Sequence, residues 1–180
     1  NAGLAMARIF EMVQKVAMDA QPGAVGGVGQ VKFSPNSRNV LPGTVIFTVD
    51  IRSPDQAKLD GMRARIEKEA AEICAALGVK CSVEAVGHFD PITFDPTLVG
   101  RVRKAAENLG YSHMNLISGA GHDACWAAKV APATMVMCPC VDGLSHNEAE
   151  DISKEWAAAG CDVLFHAVVE TAEIVSDGTE

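Results

Sequence analysis

The 180-residue sequence has no apolar run approaching the about 18 residues that a membrane-spanning helix needs. It has no excess of positive charge either: 15 Lys and Arg stand against 23 Asp and Glu, a formal net charge of −8. Without a basic field there is no electrostatic drive toward nucleic acid or an anionic membrane, and neither is expected as a partner. No pair among the six cysteines, at 74, 81, 125, 138, 140 and 161, has the C-x-x-C spacing of a zinc or redox site. They read as reduced, mostly buried small hydrophobes of a cytoplasmic protein. There is no G-x-S-x-G, Walker loop or G-x-G-x-x-G, so the nucleophile elbow, the P-loop and the dinucleotide fold are set aside. There is no initiator Met and no basic-then-apolar leader, and Asn1 to Arg8 already lies inside a helical pattern; the chain reads as a piece of a longer protein. What it does have is apolar material, 48% hydrophobic against 21% charged residues, enough for a packed core.

Hydrophobic periodicity places a helix over residues 2–20, ended by Gln21-Pro22-Gly23, and a short strand over 28–33 with Val31 and Phe33 on one face. Turn formers fill 34–43, and Val45 to Arg52 is the strongest strand signal. Ser53, Pro54 and Gln56 have the spacing of a capping box, opening a helix to Leu77 that Gly78 stops. Residues 79–86 alternate as a further strand. A strand before residue 1 would complete the β-α-β-β-α-β ferredoxin-like unit. With a boundary near 90, the second part reads as a helix from Asp95-Pro96 to Leu109, a helix over 123–130, a buried strand over 133–138, a polar loop over 141–152 and a helix from Ser153 to about Val175. The expected class is α/β, with one domain over 1–90 and the end of a larger α/β domain over 91–180.

Histidine is scarce, so its surroundings matter. His122 follows Ser118-Gly119-Ala120-Gly121, and His146 lies in Gly143-Leu144-Ser145-His146-Asn147-Glu148. Glycines around Ala120 permit close backbone approach, which suits a carboxylate or an oxyanion; a tight loop before a helix, with Asp123 favouring the dipole, explains them equally. The His146 imidazole suits Zn, Mn, Ni or Co, with nearby carboxylates to orient it; those carboxylates also fit a helix start. Arg52 and Asn39 offer a guanidinium fork and an amide for a substrate carboxylate. The alternatives are an Asp50–Arg52 or Asp55–Arg52 ion pair and loop self-bonding by Asn39. His88 and His113 carry no motif, and His166 reads as a packed helical histidine.

Two histidine motifs in this order, with Ala131-Pro132 and the run Met135 to Pro139 between them and Glu150 after them, resemble the C-terminal part of the hydantoinase/carbamoylase amidases of the peptidase M20-like superfamily. Pro35 to Gly43 and Val49 to Arg52 resemble the lid, or dimerisation, domain of that family. The likeness runs from about residue 1 to 175. It implies an amidohydrolase that cleaves the carbamoyl C–N bond of N-carbamoyl amino acids or N-carbamoyl-β-alanine, using two divalent metal ions. It implies that His146 is a metal ligand, that Asn39 and Arg52 hold the substrate carboxylate with help from Gly119 and Ala120, and that His122 is catalytic. It implies a homodimer joined through the lid, which spans 1–90 and lacks its first strand, and a catalytic-domain segment over 91–180. The related activities kept open are allantoate hydrolysis and peptidase action, and outside catalysis a ferredoxin-like module that dimerises or binds a small acid. The remaining metal ligands and the general base of that family have no counterpart here, so the 180 residues alone are expected to be inactive and to bind metal weakly or not at all.

Overall fold

The computed structural model describes residues 1–172. The chain divides into two compact units, Asn1–Pro91 and the residues from Ile92 onward. The first contains α1 (Ala2–Asp19), β1 (Val25–Ser34), β2 (Thr44–Arg52) and α2 (Gln56–Ala76). The second contains α3 (Pro96–Asn108), α4 (Asp123–Ala127), a single 3-10 turn (Val141–Gly143) and α5 (Lys154–Thr171). This mixture of helices and one small sheet has the α/β character expected from the pattern. No helix among the described residues is long and apolar enough to cross a membrane.

In the first unit, α1 buries Ala5, Ile9, Met12, Val13, Val16 and Ala17, a stripe that recurs at helical spacing. That face meets Met62, Ile66, Ala70 and Cys74 of α2 and the inward side chains Val28, Phe47, Val49 and Ile51 of the sheet. The Phe10 and Phe47 rings pack edge to face at 5.1 Å. Gly26 lets α1 sit close to β1: a Cβ there would lie 3.1 Å from the Ala17 Cβ. The strands pair antiparallel, Val25 opposite Arg52 and Ser34 opposite Thr44, with an irregularity between Val28 and Val31. There Gln30 N donates to Thr48 Oγ1 at 3.0 Å. Such an extra residue flips side-chain parity, so Val28 before it and Val31 and Phe33 after it share the inner face.

Several expected boundaries move, each for a local reason. β1 starts at Val25 rather than 28, because β2 extends far enough to pair with it. Asp55, not Ser53, caps α2: its side chain accepts from Lys58 N, while Ser53 Oγ accepts from Asp55 N at 3.2 Å. Gln56 is then the first helical residue and bonds forward to Asp60. Residues 79–86 form no strand; a strand is stable only within a ladder, and none of the described residues supplies them a partner. Val83 and Val86 are accordingly exposed.

The second unit has a smaller core: Ala105 and Ala106 of α3 meet Val163 and Ala167 of α5, with Val102, Leu109, Tyr111 and Val136 around them. Asp95 caps α3 by accepting from Leu98 N, and Ser153 caps α5 by accepting from Trp156 N. The run 133–138 is largely half-buried but not a strand, again for want of a partner, and its Ala133 carbonyl accepts from Asp95 N at 3.0 Å. α4 stops at Ala127, short of the expected 130, as the chain approaches Pro132, which disfavours helix at Ala131. Part of the expected final helix, 173–175, lies outside the described residues. His166 is exposed on α5 rather than packed, its ring 5.7 Å from that of Phe165. All six cysteines are free thiols, but only Cys74 is fully buried; Cys81 and Cys161 are exposed and the other three half-buried, against the mostly buried set expected.

Candidate active site

The residues singled out in the sequence fall in both units. Asn39 and Arg52 belong to the first; Gly119, Ala120, His122 and His146 belong to the second.

Arg52 closes β2, two residues from Asp50 and on the same side of the strand. Its Nε donates to Asp50 Oδ1 at 3.1 Å and Oδ2 at 3.0 Å, and its Nη2 donates to Oδ2 as well. Hydrogen bonding to Arg52 holds the Asp50 carboxyl below the usual aspartate range, and Asp50 in turn raises the guanidinium further. Of the alternatives left by the sequence, the Asp50 pair is therefore present. Both side chains are about half exposed, so the pair is worth at most about 1 kcal/mol. A ligand carboxylate can compete for the same fork. Asn39 lies in the exposed connection between β1 and β2. Its Oδ1 accepts from Ser37 Oγ at 2.8 Å, and Gly43 N donates to Ser34 O at 2.9 Å to close the loop. Its amide thus takes part in the loop's own bonding.

In the second unit one hydroxyl organises the glycine loop. Ser118 Oγ accepts from Ala120 N at 3.2 Å and lies 2.7 Å from His122 Nε2. A hydroxyl donating to Nε2 leaves the proton of a neutral ring on Nδ1. The Ala120 N–H is engaged within the loop. His122 sits at the start of α4 with extended backbone, its carbonyl accepting from Cys125 N at 2.9 Å. The absence of G-x-S-x-G sets aside a nucleophile elbow, and Ser118 instead bonds the His122 ring, a link whose sequence signal is the four-residue separation.

His146 has φ +55°, in the left-handed region that disfavours side chains with a Cβ. Asp142 and Gly143 in the same loop also have positive φ. Bonds across the loop hold this geometry. Val141 N donates to Asp151 O at 2.8 Å, His146 N to Glu150 Oε2 at 2.8 Å, Ala149 N to Asn147 Oδ1 at 2.9 Å and Glu150 N to Asn147 O at 2.9 Å. The sequence pointed to neighbouring carboxylates as orienters of His146. Glu150 bonds the His146 backbone amide.

A catalytic metal needs about three converging protein ligands. Among the described residues no three His, Cys, Asp or Glu side chains converge in that way. The donors among the described residues do not by themselves form a metal centre.

Residues 8–170 match peptidase family M20/M25/M40. The chain is 84% identical, over 97% of its length, to an N-carbamoyl-L-amino-acid amidohydrolase of Rhizobium meliloti, and 34% identical over 86% of its length to one of Paenarthrobacter aurescens. It spans 42% and 35% of those proteins. Its structure superposes on a hydantoinase/carbamoylase family amidase of Burkholderia multivorans with a TM-score of 0.90 and 46% identity, covering 96% of this chain and 42% of that one. A Bacillus subtilis protein described as a dinuclear metal binding peptidase of the M20 family shares the fold at 17% identity and a TM-score of 0.69, with 97% of this chain and 47% of that one covered. The chain belongs to peptidase family M20/M25/M40.

Proposed function

We propose that this chain is part of an amidohydrolase that cleaves the carbamoyl C–N bond of N-carbamoyl-L-amino acids. One observation carries the proposal: 84% identity over nearly the whole chain to an enzyme of that name. The geometry is compatible with it. Arg52 presents a half-exposed fork that a substrate carboxylate would take over from Asp50, with Asn39 as its amide partner. Gly119 and Ala120 lie in a loop shaped by Ser118, and the same serine fixes the His122 ring for a catalytic role. His146, held by Glu150, supplies one imidazole to a metal centre whose other ligands lie outside these 180 residues. The divalent ions of that centre, Zn, Mn, Ni or Co, are those that imidazole suits.

On this proposal residues 1–90 form a ferredoxin-like lid through which two copies associate, and 91–180 form the last segment of the catalytic domain. The unpaired run 79–86 then takes its place in the lid sheet beside a strand these residues lack. Six free thiols favour the cytoplasm as its compartment.

Ammonia release by a protein carrying this sequence at the full length of those relatives tests the activity. N-carbamoyl-L-amino acids should be turned over fastest, ahead of N-carbamoyl-β-alanine and allantoate, with dipeptides untouched. Dipeptide cleavage without carbamoyl turnover would replace the proposed activity with a peptidase. Light scattering of the same protein should give a dimer, and a monomer would remove the lid from that role.

A further inference from the structure

The loop before α4 ties a backbone amide and a ring to one hydroxyl. Ser118 Oγ accepts from Ala120 N at 3.2 Å and lies 2.7 Å from His122 Nε2, and both residues are half-buried. His122 stands at the start of α4 with extended backbone, φ −134° and ψ 154°, and its side chain makes no capping bond to that helix. The ring is held by Ser118 instead. Two proton arrangements fit such a contact: the hydroxyl donates to Nε2, or an Nε2–H donates to the hydroxyl. The second loads Oγ with two incoming bonds and leaves the hydroxyl proton to find another acceptor. The first uses every group at hand, since Oγ then accepts from the backbone and donates to the ring. The Nε2 lone pair is occupied, and Nδ1–H is the one polar hydrogen of the neutral ring.

We propose that Ser118 is a positioning residue that makes His122 a hydrogen-bond donor through Nδ1–H, and not a general base, in the amidohydrolase reaction. The proposal rests on the amidohydrolase reading of the chain. Addition to the carbamoyl carbon of the substrate puts negative charge on its oxygen. A neutral N–H already aimed there stabilises that charge, and no proton leaves the ring. A general base needs an available lone pair, and the one on Nε2 is taken by the hydroxyl. Ser118 also fixes the Ala120 amide, so the same hydroxyl sets the backbone of the glycine loop and the tautomer of the ring. Ser118 itself touches no reacting atom; its effect passes through His122.

The test begins with nitrogen NMR of the histidine side chains in the intact 180-residue chain, at a pH where the rings are neutral. His122→Gln identifies the signal. The expected result is the Nδ1–H form for His122. In Ser118→Ala the ring should pass to the Nε2–H form that an unconstrained imidazole favours in water, whereas Ser118→Thr, which keeps the hydroxyl, should retain Nδ1–H. An Nε2–H ring in the unmodified chain would overturn the proposal, and that result needs neither variant to fold. Kinetics of a protein carrying this sequence at the full length of its relatives supply the second arm. Ser118→Ala should lower kcat about 10- to 100-fold with KM changed less than about threefold, and Ser118→Thr should recover most of the loss. A change in KM alone, or a loss that Ser118→Thr leaves in place, would overturn the positioning role. Absence of N-carbamoyl turnover in the unmodified full-length protein would instead sink the amidohydrolase reading, and the NMR would still decide the tautomer.

Discussion

The two units use the same kinds of side chain to different ends. In the first, α1 has one apolar face, and that face is covered by a sheet and a second helix, so Val13 and Val16 are almost inaccessible. In the second, α5 is apolar on more than one side. Val163 and Ala167 meet α3, while Leu164, Phe165, Val168 and Val169 are more than half exposed. A helix that is apolar all round belongs to the interior of a larger layered domain. The half-buried run 133–138, strand-like in composition but without a ladder, has the same character. Among the described residues, α1 of the first unit has its apolar face covered, whereas α5 of the second leaves apolar surface open.

The same substitution in both units sharpens this contrast. Val13→Ala should cost about 2–3 kcal/mol, since two methyl groups leave a closed core that cannot collapse around the gap. Val163→Ala should cost about 1–2 kcal/mol, because α5 can shift toward α3 where its other side is uncovered. Urea unfolding followed separately in each unit measures both, and equal losses would erase the distinction drawn between the cores.

Gly160 is a close-packed point in the looser unit. An added Cβ would overlap the Cys138 Sγ. Gly160→Ala should destabilise by about 1–3 kcal/mol, and adding Cys138→Ala should recover most of the loss. Without recovery in the double variant, thermal denaturation would show that strain at this contact is not the cause.

Helix caps should be worth similar amounts in either unit, because they are local. Asp55→Ala in the first and Ser153→Ala in the second should each lower stability by about 1 kcal/mol. A much larger effect for one would mean that it does more than cap.

The elements that the sequence made legible are those decided locally. The α1 stripe, the β2 alternation, the helix starts at Asp95 and Ser153 and the glycine stop at 78 are all set by nearest neighbours, and Gly78 adopts the positive φ of such a stop. Alternation over 79–86 and the apolar run over 133–138 predict strands, but pairing is a property of two segments, and their partners are not among the described residues. Of the contacts around the singled-out residues, the Asp50–Arg52 pair is legible as one alternative because the two share a side of β2, whereas the bonds of Ser118 to the His122 ring and of Glu150 to the His146 amide depend on how their loops fold.

The smallest expected effect concerns Asp50. Its folded carboxyl titrates below the ordinary value of 3.8. Its pairing with Arg52 therefore stabilises the fold above that value and is lost as pH falls through the lower folded value. The exposed pair should contribute under about 1 kcal/mol. Asp50→Asn should flatten that part of the stability curve below pH 4 in acid titrations followed by circular dichroism. An unchanged curve would show that the pair contributes nothing measurable.

The proposal to be tested is that this chain is part of an amidohydrolase in which His146 would supply one metal ligand without enough companions of its own. Calorimetric titration of the 180-residue chain with Zn or Mn tests it most directly. Weak or undetectable binding, with no hydrolysis of N-carbamoyl amino acids, is the predicted result. Tight stoichiometric binding accompanied by turnover would contradict it.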